Sequence, residues 1–387
     1  MHSWPHRPVE TVDPRCFVPP HCPWPACTTH RDAREFRFYR HSGYFRRCDQ
    51  RRVPRFVCRT CGRSFSQQSF SFTYYLKRPE LAPAIAAALL AGSAHRQIAR
   101  SLGCAPSTIT RLSARLGRHA LLLLALSLER LERIEEPIVY DDFESFFFCQ
   151  EFAVGMGTPA GQQSWFIYGL DYAPHRRGGR RSPAQRARRR KLSLAPRYPY
   201  RQAFGRVLNI LAAKLPERGR LRLISDEQPE YGTALRQHPE HERFDHRSYA
   251  NPKRPYKGAP RSRRAVERDR EMFATDLLHG LIRHSLANHK RETIAFARRL
   301  NALLERGFLF VIWRNFVKSR TERRSDRTTP AMAVGLTCEP WNWARVLAQR
   351  LFPARQTVPE PWMRIYRRQI LTPEVGRNVE HRLVQAM

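Results

Sequence analysis

The sequence predicts a multidomain chain: a small cysteine-bearing module, then an all-α segment, then an α/β domain with a mixed sheet flanked by helices. Three observations predict this. Cys22 and Cys27 form one close pair near the N-terminus, and Cys58 and Cys61 form another. Residues 79–128 carry apolar side chains at helical spacing. Beyond them, runs rich in β-branched and aromatic residues surround an amphipathic helix, and two of those runs carry aspartates.

The totals bound the reading. A chain of 387 residues holds two or three domains and at least one sizeable core. Its 42% hydrophobic and 11% aromatic content argue against wholesale disorder. The net charge of +35 predicts a polyanionic partner, because neutralised phosphates release counterions. Of 69 basic residues 62 are arginine, which grips phosphate bidentately; a GC-rich genome gives the same skew. No apolar run approaches the roughly 18 residues of a spanning helix, and Met1 to Pro5 opens no signal-peptide core. A soluble intracellular protein with no membrane partner is expected. Nine cysteines in such a chain point to metal before disulfides.

Taken in order, residues 1–20 are rich in proline and read as a disordered tail. Over 21–72, Cys22, Cys27, Cys58 and Cys61 read as two knuckles closing one tetrahedral Zn²⁺ site. Phe36, Phe38, Tyr39, Tyr44 and Phe45 between them suit a β-hairpin. A region this small needs the metal to fold. Cys16, Cys48, His21 and His30 are possible substitutes, and free buried thiols are the alternative. Over 73–134, a short helix, a turn at Gly103 and a second helix opening at Pro106 match a helix-turn-helix. Ile98, Leu102, Ile109, Leu112 and Leu116 form its core. Ser107, Thr108, Thr110, Arg111 and Arg115 face a major groove. An ordinary helical hairpin is the alternative. Leu121 to Ile134 reads as a separate connecting or dimerising helix.

Within 135–335, strands are expected over 138–148, 152–156, 164–172 and 221–224, with 157–163 as a turn. A basic insertion, 173–200, reads as a mobile phosphate-binding or merely solvated loop. Phe204, Val207, Leu208, Leu211 and Leu215 mark a helix before the fourth strand. Residues 238–262 are polar and hold a short fifth strand near Phe244. A long helix begins near Ala265. Residues 336–387 form a C-terminal extension without a recognisable motif.

Acids are depleted in strands, so Asp141 and Asp142 inside one need a reason. Asp226 ends the fourth strand. Two such strands could set carboxylates side by side, which only a cation tolerates; hard oxygen ligands with open positions suit Mg²⁺ and phosphate chemistry. The alternative is that these aspartates are turn or capping residues. Three strands, a helix and a strand, with acids on the first and after the fourth, is the order of the ribonuclease H-like fold.

On these residues the chain resembles bacterial insertion-sequence transposases of the DDE class that carry an N-terminal zinc ribbon and helix-turn-helix. The resemblance spans residues 20–335. Asp141 resembles the first catalytic aspartate. Gln163 to Tyr168 resembles the following strand pair, and Ser225-Asp226 with Tyr231 the second acid. Asp276 to Arg283, then Lys290 to Phe296, resembles the third-acid helix. Arg314-Asn315-Phe316 and Thr329-Pro330-Ala331 resemble the C-terminal motifs. The resemblance implies a ribonuclease H-like domain that cleaves and joins DNA strands with Mg²⁺ or Mn²⁺ held by Asp141, Asp226 and Asp276. It implies double-stranded DNA partners (inverted repeats and target), a homo-oligomer on that DNA, no small-molecule substrate, and a place on the bacterial nucleoid in the cytoplasm. Arg283, Lys290 and Arg291 join the DNA-binding residues. One departure stands out: the family has glutamate where this chain has Asp276, and Glu267, Glu271 and Glu292 compete with it. A catalytically inactive, transposase-derived DNA-binding protein is the alternative function.

Overall fold

The computed structural model describes residues 4, 7–192, 197–252, 254–323, 325 and 327–379. Parts of the expected tail (1–3, 5, 6), of the basic insertion (193–196) and of the C-terminal extension (380–387) lie outside the described residues.

The cysteine-bearing module is a three-stranded antiparallel sheet, β1 (Phe38–Arg46), β2 (Arg51–Cys58) and β3 (Ser64–Ser66), preceded by one helical turn, α1 (Thr28–Arg31). Phe17, Phe36, Phe56, Phe65 and Phe70 form its own apolar cluster, which Phe352 completes from the far end of the chain. The described part of the tail is packed, against expectation. The Trp4 indole donates to the Leu336 carbonyl at 2.7 Å, and the Val9 amide to that of Ala348 at 2.7 Å. These partners lie in the C-terminal segment, so composition near residue 10 carries no trace of them.

Three helices follow: α2 (Leu81–Leu90), α3 (His95–Ser101) and α4 (Pro106–Arg130). Gly103, at φ +56°, makes the turn between α3 and α4. Ile98, Ile109, Leu112 and Leu116 are buried as the periodicity predicts. α4 is one helix of 25 residues rather than two. Leu121 to Leu124 are buried, and α4 packs along α10 (Leu300–Ile312) of its own chain. The two helices approach closely at Gly117, where a Cβ would lie 2.2 Å from the Glu305 carbonyl oxygen.

The second sheet has the order β6-β5-β4-β7-β8. β4 (Ile138–Phe147), β5 (Cys149–Gly161) and β6 (Asp171–Arg176) are antiparallel neighbours; β4, β7 (Leu221–Asp226) and β8 (Phe244–Tyr249) run parallel. The third strand is therefore 171–176, not 164–172. Phe166, Ile167 and Tyr168 are buried but mostly outside the ladder. Asn315 takes a neighbouring strand's place: it accepts from the Ile167 amide at 2.9 Å and donates to its carbonyl at 3.0 Å. The basic insertion carries a helix, α5 (Pro183–Arg190), capped where Ser182 and Gln185 exchange side-chain and backbone bonds at 3.2 and 3.0 Å.

α6 (Pro199–Ala212) and α7 (Pro229–Arg236) cover one face of the sheet; Phe204 of α6 and Tyr231 of α7 both pack on Tyr140. The long helix expected from Ala265 breaks at Met272 into α8 (Arg263–Glu271) and α9 (Phe273–Ser285), and α9 lies on the opposite face against β4 and β5. Short helices α11 (Pro330–Ala333), α12 (Trp343–Val346) and α13 (Glu360–Tyr366) close the chain. Trp362 is fully buried and donates to the Leu170 carbonyl at 3.0 Å, so the C-terminal segment belongs to the main core. No helix among the described residues is long and apolar enough to cross a membrane.

Candidate metal centre and acid pair

Cys22, Cys27, Cys58 and Cys61 converge, with all four sulfurs within 4.8 Å of one another. Cys22 and Cys61 are 3.7 Å apart, Cys27 and Cys58 3.9 Å. A tetrahedral ion with Zn–S bonds near 2.3 Å requires edges of about 3.8 Å. These separations are far too long for disulfides, and all four cysteines are free. Burial, reinforced by Cys61 and Cys58, pushes the Cys22 thiol up; Cys61 rises chiefly from burial. At Cys58 burial is outweighed by bonds from the Cys61 amide and the Thr29 hydroxyl, which bring it down to about 6. The cluster can hold a metal such as zinc. The possible substitutes stand outside it. Cys16 and Cys48 are exposed, and His21 and His30 each bond the Cys22 carbonyl, at 2.9 and 2.7 Å.

β4 pairs with β7 at Ile138↔Leu223 and Val139↔Ile224, and Asp141 and Asp226 each lie two residues beyond the last of these pairs. Side chains two residues apart on a strand point to the same face. Each carboxylate has one oxygen tied to the backbone: Asp141 accepts the Asp142 amide at 2.8 Å, and Asp226 the Gln228 amide at 3.0 Å. Burial, then the charges of Asp226 and Asp142, push Asp141 up to about 8; burial also raises Asp226. Protonation of one carboxyl or a nearby positive charge relieves the repulsion between two such groups.

Asp142 points the other way. It accepts the Tyr231 hydroxyl at 2.6 Å and the Tyr140 hydroxyl at 3.1 Å, and burial raises it to about 7.

The expected third ligand does not join the pair. Both oxygens of Asp276 are taken by Arg268, one of them at 3.0 Å. Among the described residues, the four cysteines are the one group of three or more metal-ligating side chains gathered within 4.8 Å. A Mg²⁺ site of Asp141, Asp226 and Asp276 is thus not formed. The competing acids stand apart as well. Glu267 and Glu292 are exposed, and Glu271 accepts from Gln162 at 2.8 Å. What α9 does bring to Asp141 is His279, whose Nδ1 lies 3.6 Å from Oδ2. Burial, with Arg283 and Arg268 nearby, lowers this imidazole to about 3, so it is neutral. Sequence reasoning passed over it; the available signal was its position three residues after Asp276, on the same helical face.

Of the expected DNA-contacting residues, Ser107, Thr110 and Arg111 are exposed at the start of α4, and Thr108 is half-buried. Arg115 is turned inward: it donates to the Phe72 carbonyl and lies 5.1 Å over the Phe72 ring. One helical turn beyond Arg111, the groove-facing side of α4 has become its packing side. Arg283 is engaged too, donating to the Glu144 and His289 carbonyls at 3.3 and 3.4 Å, while Lys290 and Arg291 are exposed.

Neither a family model nor a curated protein matches this chain.

Proposed function

We propose that the chain is a DNA transposase of the DDE class, recognising element ends and carrying out metal-dependent strand cleavage and strand transfer on a ribonuclease H-like domain. The observation that carries this reading is that Asp141 and Asp226 lie on adjacent parallel strands, each two residues past the last paired position, with the charge of Asp226 raising Asp141. The element order supports it: three strands, the helix α5 of the basic insertion, the helix α6 and a fourth strand, with acids on the first and fourth strands. A divalent cation bound at the pair would activate water or a 3′-hydroxyl and stabilise the leaving oxygen. The chain's own contribution is positioning. The Asp142 and Gln228 amides hold the two carboxylates, and the exposed residues of α4 offer hydroxyls and positive charge to a duplex. The cysteine module, metal-bound, and α3–α4 would grip the element ends.

One observation favours a second reading, a catalytically inactive DNA-binding descendant. Asp276, the residue aligned with the family's glutamate, is neutralised by Arg268. The test uses purified full-length protein, DNA carrying the ends, and Mn²⁺ or Mg²⁺. Cleavage is expected in the native chain and absent in Asp141→Asn and Asp226→Asn. Cleavage surviving in both variants sinks the enzymatic reading. DNA binding with no cleavage under either metal leaves the inactive descendant.

A further inference from the structure

Seven of the nine residues of β1 are exposed, and three of them, Tyr39, Tyr44 and Phe45, are large and apolar. Single exposed rings are ordinary, but several on one strand mark a surface that meets something. The register shows which of them share a face. Tyr39 pairs with Val57, Ser42 with Arg55, and Tyr44 with Val53. Val53, Arg55 and Val57 alternate along β2, so they and their partners lie on one side of the sheet. Phe56 and Cys58 turn to the other side, into the apolar cluster of the module. Tyr39 and Tyr44 therefore stand together on the solvent face, 45% and 40% exposed. Four paired steps of about 3.4 Å put them about 14 Å apart along β1.

Arginine occupies the space between and beside these rings. Arg55 lies midway between the tyrosines, opposite Ser42. It is exposed and donates to the Ser64 hydroxyl of β3 at 3.2 Å. Arg59, also exposed, lies 6.0 Å from the centroid of the Tyr39 ring. Residues 38–66 hold eight arginines and one acid, Asp49, which Arg46 and Arg51 bind at 2.8 and 2.9 Å. The sheet itself thus offers Arg55 and Arg59 no carboxylate.

This chemistry selects the occupant. The charge calls for a polyanion. Exposed rings interleaved with arginine suit unpaired bases, which stack on the rings while the backbone follows the positive charge. A duplex keeps the faces of its bases inside and cannot use the tyrosines. Addition of a peptide strand at the open edge of β1 is opposed by the bulge between Arg40 and Ser42.

We propose that the solvent face of β1 and β2 binds single-stranded DNA, with bases stacked on Tyr39 and Tyr44 and phosphates on Arg55 and Arg59. The proposal deepens the preceding reading, on which it rests only in taking DNA as the partner. The cysteine module would hold an unpaired strand, and α4 a duplex.

Zinc-loaded full-length protein is titrated by fluorescence anisotropy against a short oligothymidylate, an abasic strand of equal length and a duplex. The native chain is expected to bind the oligothymidylate at least about tenfold more tightly than the abasic strand. The Tyr39→Ala, Tyr44→Ala double variant should lose that preference. Tyr39→Phe and Tyr44→Phe keep the rings and should retain it. An oligonucleotide carrying 5-iodouracil should crosslink to Tyr39 or Tyr44 on irradiation. A native chain that binds both single strands equally, or a double alanine variant with its preference intact, overturns the proposal. If the duplex is still bound in that case, only this inference falls. A native chain that binds DNA in neither form removes the DNA-binding reading as well. Should the alanine variant fail to fold, the native chain decides: no preference for bases and no crosslink at either tyrosine rejects the proposal.

Discussion

Tyr231 donates its hydroxyl to Asp142 at 2.6 Å, on the face of β4 opposite Asp141. Adjacent aspartates thus have separate duties, because successive side chains of a strand point to opposite faces. Asp142 ties α7 to the sheet beneath Tyr140; Asp141 faces α9.

The two should separate in mutagenesis. Asp142→Ala leaves two buried tyrosine hydroxyls without an acceptor and is expected to cost about 2–5 kcal/mol of stability. Asp141→Asn should abolish cleavage and cost little or nothing, since the amide keeps the side chain's shape and its acceptor for the Asp142 amide. Thermal or denaturant unfolding of both variants, beside a cleavage assay, measures this. Loss of stability in Asp141→Asn comparable to Asp142→Ala would contradict the division.

Metal removal addresses the cysteine cluster. Its sheet has a separate small apolar cluster, so most of its stability should come from the bound ion. The isolated full-length chain should contain about one zinc, and Cys58→Ser none. Chelation should collapse amide-exchange protection over β1–β3 while that of α4 and α10 persists. Protection in β1–β3 unchanged by chelation would mean that the thiols are merely buried.

Much of the architecture was readable from residues. Ile138 to Phe147 announces a buried strand by its β-branched and aromatic content, and Phe204, Val207, Leu208 and Leu211 announce α6 by their spacing. Other features were unreadable because their causes lie far along the chain. Phe166-Ile167-Tyr168 has the composition of a strand, yet Asn315 takes its hydrogen bonds. Trp4 is ordered by Leu336. The Ser182/Gln185 capping box was present in the sequence and hidden by the surrounding arginines.

Asn315 itself is open to test. Asn315→Ala would orphan a buried amide and a buried carbonyl of Ile167. A cost of about 2–4 kcal/mol is expected from the two unmet groups. Asn315→Asp keeps the acceptor for the Ile167 amide, loses the donor and adds a charge, so it should fare no better. Denaturant midpoints for the three proteins settle the matter; a change under about 0.5 kcal/mol in Asn315→Ala means water replaces the side chain.

Acid should loosen the contact between α4 and the C-terminal segment. His119 of α4 is buried, with Nε2 2.8 Å from the Val346 carbonyl, and burial lowers it to about 4. The folded chain keeps this ring neutral, while the unfolded chain protonates it near its ordinary 6.5. Its contribution is therefore whole above pH 6.5 and is lost as pH falls toward 4. At about 1.4 kcal/mol per unit, the loss reaches about 2–3 kcal/mol. His95 and His289, lowered to about 4 and about 3, act in the same direction. Unfolding at pH 7 and pH 4.5 should show a shallower acid loss in His119→Gln than in the native chain. An equal slope in both would assign the acid sensitivity elsewhere.

The DNA-facing side of α4 can be located by two arginines one turn apart. Arg111 is exposed near the helix start, while Arg115 lies over Phe72 and bonds its carbonyl. Arg111→Ala should leave stability unchanged, weaken duplex binding and reduce the salt slope by about one unit if the side chain meets a phosphate. Arg115→Ala loses a cation–π contact and a backbone bond, so it should cost about 1–2 kcal/mol of stability. Its DNA affinity and salt slope should match the native chain wherever both are folded. Fluorescence anisotropy at several salt concentrations, paired with unfolding curves, gives all four quantities. If Arg115→Ala instead flattens the salt slope and leaves stability alone, then Arg115 swings out to the duplex, and the groove-facing side of α4 extends a full turn further than its packing on Phe72 allows.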